Sequence, residues 1–147
     1  KRKLNSIFEK HLQKIKYYNI SYTDFSPKHT YTVCRPMDET YSFRLPIVTN
    51  ELTLAICLHE LGHVFYDHLN PHDWAIVYID PGAVSFNKEI LRMSEQLDQE
   101  DEAWKFALDV LRKNHIQITS KLIDYMNSCL DNYVESVIEC AVEGSIL

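Results

Sequence analysis

No apolar run in this chain approaches the roughly 20 residues needed to cross a bilayer, so no membrane-spanning helix is expected. Glycine is scarce, at three of 147 residues, which excludes a collagen-like chain. Nothing in the composition suggests disorder or a repeat array. Cys-x-x-Cys pairs are lacking too. The four cysteines, Cys34, Cys57, Cys129 and Cys140, stand far apart, and Cys57 and Cys129 fall on apolar helical stripes. They read as small reduced core residues rather than disulfides or metal ligands, which suits a cytoplasmic protein. The basic start "KRKLNSIFEKHLQKIK" is followed by no apolar stretch, so no signal peptide is expected. Positive charge is thin overall. The net charge is −6, and Lys and Arg are scattered outside residues 1–3 and 10–16. Direct nucleic-acid binding is therefore not expected, and the basic stretch reads as a solvated helix face.

What is present is an ordinary globular composition, 46% hydrophobic and 24% charged, without a linker. One domain over residues 1–147 with a single core is the expectation. Leu4, Ile7, Phe8, Leu12, Ile15 and Tyr18 recur at helical spacing, predicting an amphipathic helix over 3–19. "YTVCR" and "TYSFRLPIV", separated by a "PMDE" turn, are rich in β-branched and aromatic residues and predict a short antiparallel sheet. Pro46 cannot donate to a ladder, which predicts that its strand is an edge or ends there. Asn50 is a good N-cap for a helix through about residue 69. "NPHDWAIVYIDPGAVSF" reads as a long connection holding a short strand at 74–79. Ser94 is the predicted cap of a helix over 95–113 that ends at Asn114. Ser120 is the predicted cap of a last helix, whose apolar stripe runs through Leu122, Tyr125, Met126, Cys129, Leu130, Tyr133, Val134, Val137, Ile138 and Ala141.

The segment "AICLHELGHVFYDH" sets three ionisable groups, His59, Glu60 and His63, in an apolar helical run. Residues four apart lie one turn up on the same helix face, so both imidazoles can point at one metal ion. Glu60 lies roughly 100° round from His59, where it can reach a metal-bound water rather than the metal. Zinc lowers the pKa of such a water towards about 7, and a carboxylate can then take its proton as it attacks a carbonyl. The flanking Ile56, Cys57, Leu58, Leu61, Gly62, Val64 and Phe65 are uncharged, as a buried zinc helix requires. A mid-helix glycine costs about 1 kcal/mol against alanine, so Gly62 is expected to serve close packing. The competing reading, a core helix with hydrogen-bonded histidines, would need several partners for two buried His and a buried Glu.

A zinc hydrolase also needs a third protein ligand. The pattern H-E-x-x-H-x-x-G-x-x-H fails, because Tyr66 and Leu69 stand at its later positions. His68 is read as a helix-end residue favoured by the dipole, and His72 as a solvated loop residue. The other source is a glutamate on a later helix. Glu100 shares a face with Ala103 and Ala107, whose small side chains would let two helices approach closely. Glu102 lines up with Phe106 instead. Glu100 is the better candidate, with Glu102 left open.

"HELGHVFYDH" followed by "EDEAWKFALDVL" resembles the ImmA/IrrE family of metallopeptidases over roughly residues 50–130. That family has an HELGH helix and then an E-x-x-A-x-x-F-A segment, matched here by Glu100, Ala103, Phe106 and Ala107. The resemblance implies zinc (Zn2+) held by His59, His63 and Glu100, with Glu60 as general base. It also implies a cytoplasmic bacterial or phage protein that cleaves a helix-turn-helix repressor, an anti-repressor role tied to phages and mobile elements. The chain departs from the pattern at Trp104, where the family has Asn or Asp, and at "DVLR" in place of "LLMP". The partner that orients the histidines is thus left unassigned.

The expectation is an α+β, zincin-like domain with a short antiparallel sheet packed on the HExxH helix and additional helices around it. It would be a zinc metalloendopeptidase acting on a protein substrate. Tyr66, Tyr78 or His115 could stabilise the oxyanion, and an edge strand at 41–48 could pair with an extended substrate. The alternatives are a non-catalytic zinc-containing regulatory protein that acts by partner binding, and a metal-free helix bundle.

Overall fold

The computed structural model describes residues 2–23, 31–35, 40–66 and 86–146. Their elements are α1 (Arg2–Leu12), β1 (Tyr18–Thr23), β2 (Tyr31–Arg35), β3 (Thr40–Pro46), α2 (Glu51–Phe65), α3 (Phe86–Lys113) and α4 (Ser120–Ile146). Helices are thus mixed with one small sheet, an α+β arrangement.

The sheet differs from the expected antiparallel one. Its order is β1-β3-β2, and β1 runs parallel to β3, with Tyr18 opposite Tyr41 and Thr23 opposite Pro46. β2 runs antiparallel to β3, so the sheet is mixed. The strand at 18–23 was hidden by the helical spacing of Ile15 and Tyr18. α1 stops at Leu12, tight turns follow through Lys14 and Ile15, and the chain then becomes extended. Pairing with β3 outweighs the helical pattern there, because strand preference depends on neighbours far along the chain. β3 is consequently the middle strand and not an edge. Pro46 is its last residue, where a missing N–H costs no interior rung.

α2 is capped as expected. Asn50 Oδ1 accepts from Thr53 N at 2.9 Å, and Thr53 Oγ1 accepts from Asn50 N at 3.0 Å, closing a capping box. Every residue from Leu52 to His63 is buried, so α2 is enclosed on all sides. The Cys57 thiol donates to the Pro46 carbonyl at 3.4 Å, tying α2 to the end of β3. α2 ends at Phe65 with Tyr66 as its C-cap, short of the expected end near 69. The strand expected at 74–79, and with it Tyr78, His68 and His72, lies outside the described residues.

α3 begins at Phe86, nine residues before the expected start at 95, so Ser94 is inside the helix rather than at its start. Residues 86–94 contain no glycine or proline to stop it. At its other end Ile116 N bonds Leu111 O at 2.9 Å and His115 N bonds Arg112 O at 3.1 Å. That is a Schellman motif with Asn114 at the C-cap and His115, at φ 58°, in the left-handed position that favours glycine. Thr119, not Ser120, caps α4: its Oγ1 accepts from Leu122 N at 3.2 Å.

The core joins Ile7, Phe8 and Leu12 of α1, Phe43 and Leu45 of β3, and most of α2. Trp104, Ala107, Val110 and Leu111 of α3 and Leu122 of α4 complete it. The buried section of α2 is therefore the centre around which the other elements pack.

His115→Gly should stabilise the protein by about 1 kcal/mol, because it removes the Cβ strain of a left-handed residue while keeping both backbone bonds. Urea unfolding should show a higher midpoint with an unchanged slope. A lower midpoint would show that the imidazole contributes more than its strain costs.

Candidate metal centre

His59, Glu60 and His63 are all buried within α2, among the few polar groups of the core. The four-residue spacing sets the two imidazoles on one face, ring centroids 4.7 Å apart at 77°. One donor atom from each of His59, Glu60 and His63 can be chosen so that all lie within 4.8 Å of one another.

Glu100 reaches this face from α3. Its Oε2 lies 2.7 Å from His59 Nε2 and its Oε1 lies 3.1 Å from His63 Nε2. The reach depends on Gly62. A Cβ there would sit 3.1 Å from both the Cα and the carbonyl oxygen of Ala103, one helical turn beyond Glu100. Ala103 and Ala107 are fully buried, so the two helices meet across small residues. Glu102 is on the exposed side of α3, near Lys105. Of the two glutamates, Glu100 is the one brought to the histidines.

Glu60 Oε1 lies 3.3 Å from His59 Nδ1, the ring nitrogen turned away from Glu100. The His59 ring also stacks on the Trp104 indole at 4.3 Å and 24°. Two groups therefore orient His59. Tyr133 was read as part of an apolar stripe, yet its hydroxyl donates to Glu100 Oε1 at 3.2 Å. A signal existed, since a tyrosine on a buried stripe usually needs a partner for its hydroxyl.

No protein-family model, curated protein or solved structure matches this chain. The chemistry of the site must be read from its own geometry.

That geometry is strongly polarised. Burial alone would raise the Glu100 carboxyl, but hydrogen bonds and charge from His59 and His63 outweigh it and hold it well below the usual carboxylate range. Burial likewise lowers His59, and the hydrogen bonds and charges of Glu100 and Glu60 overcome this to raise it to about 9. Burial, reinforced by Glu100, pushes the Tyr133 phenol up, so it remains a donor. Both shifts favour a protonated His59 paired with an ionised Glu100. Two imidazole nitrogens and one carboxylate oxygen converging in a buried site are a donor set suited to zinc, which would take the place of the His59 proton.

The residues expected to steady an oxyanion fare differently. Tyr66 is half exposed, its ring edge-on to Phe106 at 6.3 Å. His115 lies beyond the end of α3, whose section from Glu100 to Lys113 alone spans about 20 Å at 1.5 Å per residue, which removes it from the site. Cys57 and Cys129 are free thiols, and burial pushes the Cys57 thiol far above its usual range; the side chains of Cys34 and Cys140 lie outside the described ones.

Glu100→Gln should weaken zinc retention by more than the roughly 10–100-fold typical of losing an outer partner of a metal ligand, whereas Glu102→Gln should leave it unchanged. Dialysis against a chelator followed by metal analysis distinguishes them, and the reverse ranking would move the ligand to Glu102. Gly62→Ala gains helix propensity but drives a methyl into the Ala103 backbone. A net loss of about 1–3 kcal/mol is expected. Equal or greater stability in denaturant titration would show that the α2–α3 contact can open freely.

Proposed function

We propose that the protein is a zinc-dependent endopeptidase in which His59, His63 and Glu100 hold the metal and Glu60 is the general base. The observation that carries this reading is the meeting of Glu100 with both histidines of the HExxH helix, from a residue 41 positions beyond His59. An H-E-x-x-H helix completed by a distant glutamate is the ligand pattern of zinc peptidases. Zinc bound there supplies Lewis acidity towards a scissile carbonyl and makes water acidic enough to be deprotonated near neutral pH.

The chain's own residues do the rest. Glu60 is next to the ligands but offset around the helix axis, with its Oε1 3.3 Å from His59 Nδ1; as general base it would take a proton from the attacking water and pass it to the leaving amine. Glu60 is buried, which removes competing solvent and strengthens its electrostatic interactions. Trp104 and Glu60 fix the His59 ring, and Gly62 sets how closely Glu100 approaches. An extended segment of substrate would pair with β1 or β2, the edges of the sheet among the described residues, since β3 is enclosed between them.

The resemblance to the ImmA/IrrE family supports a zincin-like domain and a helix-turn-helix repressor as the protein substrate, in the cytoplasm of a bacterium or in the service of a phage or mobile element. The net charge of −6 supports action on the repressor itself rather than on its DNA. Among the described residues no helix is long and apolar enough to cross a membrane.

Glu60→Gln keeps the shape and most of the hydrogen bonding while removing the base. Zinc content should remain that of the wild type, and cleavage of a repressor encoded beside the protein should fall by roughly 10²–10⁴-fold. Near-wild-type, zinc-dependent cleavage would overturn the role of Glu60. If both forms bind the repressor and neither cleaves it, the protein is a zinc-containing regulator that acts by binding.

A further inference from the structure

Among the described residues Glu100 has a further partner beyond the two histidines, and it comes from a third helix. Tyr133 Oη, on α4, donates to Glu100 Oε1 at 3.2 Å. The same carboxylate is met by His59 at Oε2 and by His63 at Oε1. Glu100 is thereby held by groups on two other helices. A glutamate side chain has three rotatable bonds, and the helix that carries it fixes only the first of them closely. In the absence of an anchor, the outer torsions are free to swing the carboxylate away from the histidines.

His59 is oriented by a different device. Its ring lies on the Trp104 indole, whose Nε1 has no hydrogen-bond partner among the described residues. Trp104 thus acts on His59 through ring contact, while Tyr133 is the neutral donor on the carboxylate.

We propose that Tyr133 is a positioning residue of the metal centre, its hydroxyl holding the Glu100 carboxylate where it can bind metal together with His59 and His63. The centre is then assembled by three helices, with ligands from α2 and α3 and the anchor from α4. This rests on the reading of His59, His63 and Glu100 as metal ligands and not on the protein being a peptidase.

Tyr133→Phe removes one oxygen and keeps the ring. Zinc affinity of the full chain, measured by competition with a chromophoric chelator, should fall about 10–100-fold, the usual effect of losing an outer partner of a ligand. Far-UV circular dichroism should be unchanged. The deciding step is the double variant. In a Glu100→Gln background, measured with a weaker chelator, Tyr133→Phe should have no further effect, because the hydroxyl acts through that carboxylate. A general structural role would persist there. The inference is overturned if Tyr133→Phe binds zinc within about twofold of the wild type, or if its loss is fully additive with that of Glu100→Gln. If the wild type itself takes up no zinc, the ligand reading fails and the inference with it. If the wild type binds and Tyr133→Phe is neutral, only the inference fails.

Discussion

The approach of α3 to α2 at Gly62 is the constraint on which the rest of the centre depends. A methyl at this position would press on the Ala103 backbone at 3.1 Å, and Glu100 lies one turn away from that contact. Helix packing distances normally run from 8 to 10 Å, set by the side chains between the axes. With glycine facing alanine, the carboxylate of Glu100 spans the remaining gap and meets His59 and His63 together. A mid-helix glycine weakens α2 locally, but that section of the helix is enclosed by the core and needs little intrinsic propensity.

Burial gives the centre its chemistry and also its cost. Taking a charged group out of water costs several kcal/mol per ion unless the charge is paired and hydrogen-bonded. Here the compensation is local: Glu100 faces two imidazoles and a phenol, and His59 faces two carboxylates. Arrangements of this kind are weak devices for stability, since apolar residues of the same volume would pack as well. Their concentration in one place, on a helix buried from Leu52 to His63, therefore points to function. The apolar cluster around α2, together with the capping box at Asn50 and the Cys57 bond to β3, holds that helix in place.

Much of the centre was legible in the sequence because helical geometry is local. The spacing of His59, Glu60 and His63, the packing purpose of Gly62 and the cap at Asn50 all follow from residues within a turn or two of one another. Glu100 was favoured over Glu102 by the same logic, since Ala103 and Ala107 mark the close face of α3, but Glu102 stayed open until the structure placed it on the exposed side. Less was legible where partners lie far along the chain. β1 was concealed by the helical spacing of Ile15 and Tyr18, and β3 became the middle strand only through its parallel pairing with β1. The Tyr133 hydroxyl signalled the need for a partner, but its identity was hidden, because the hydrogen bond reaches across to another helix. The move from Ser120 to Thr119 as the cap of α4 is smaller in kind: both hydroxyls suit the position, and only the backbone decides between them.

Metal content tests the central claim most directly. The full chain, purified without added zinc and without chelator, should carry one zinc per molecule by elemental analysis. Stripping that zinc should lower the unfolding temperature, because a ligand bound only by the folded state stabilises it. A folded chain that carries no metal, and whose unfolding temperature does not respond to added zinc, would contradict the account.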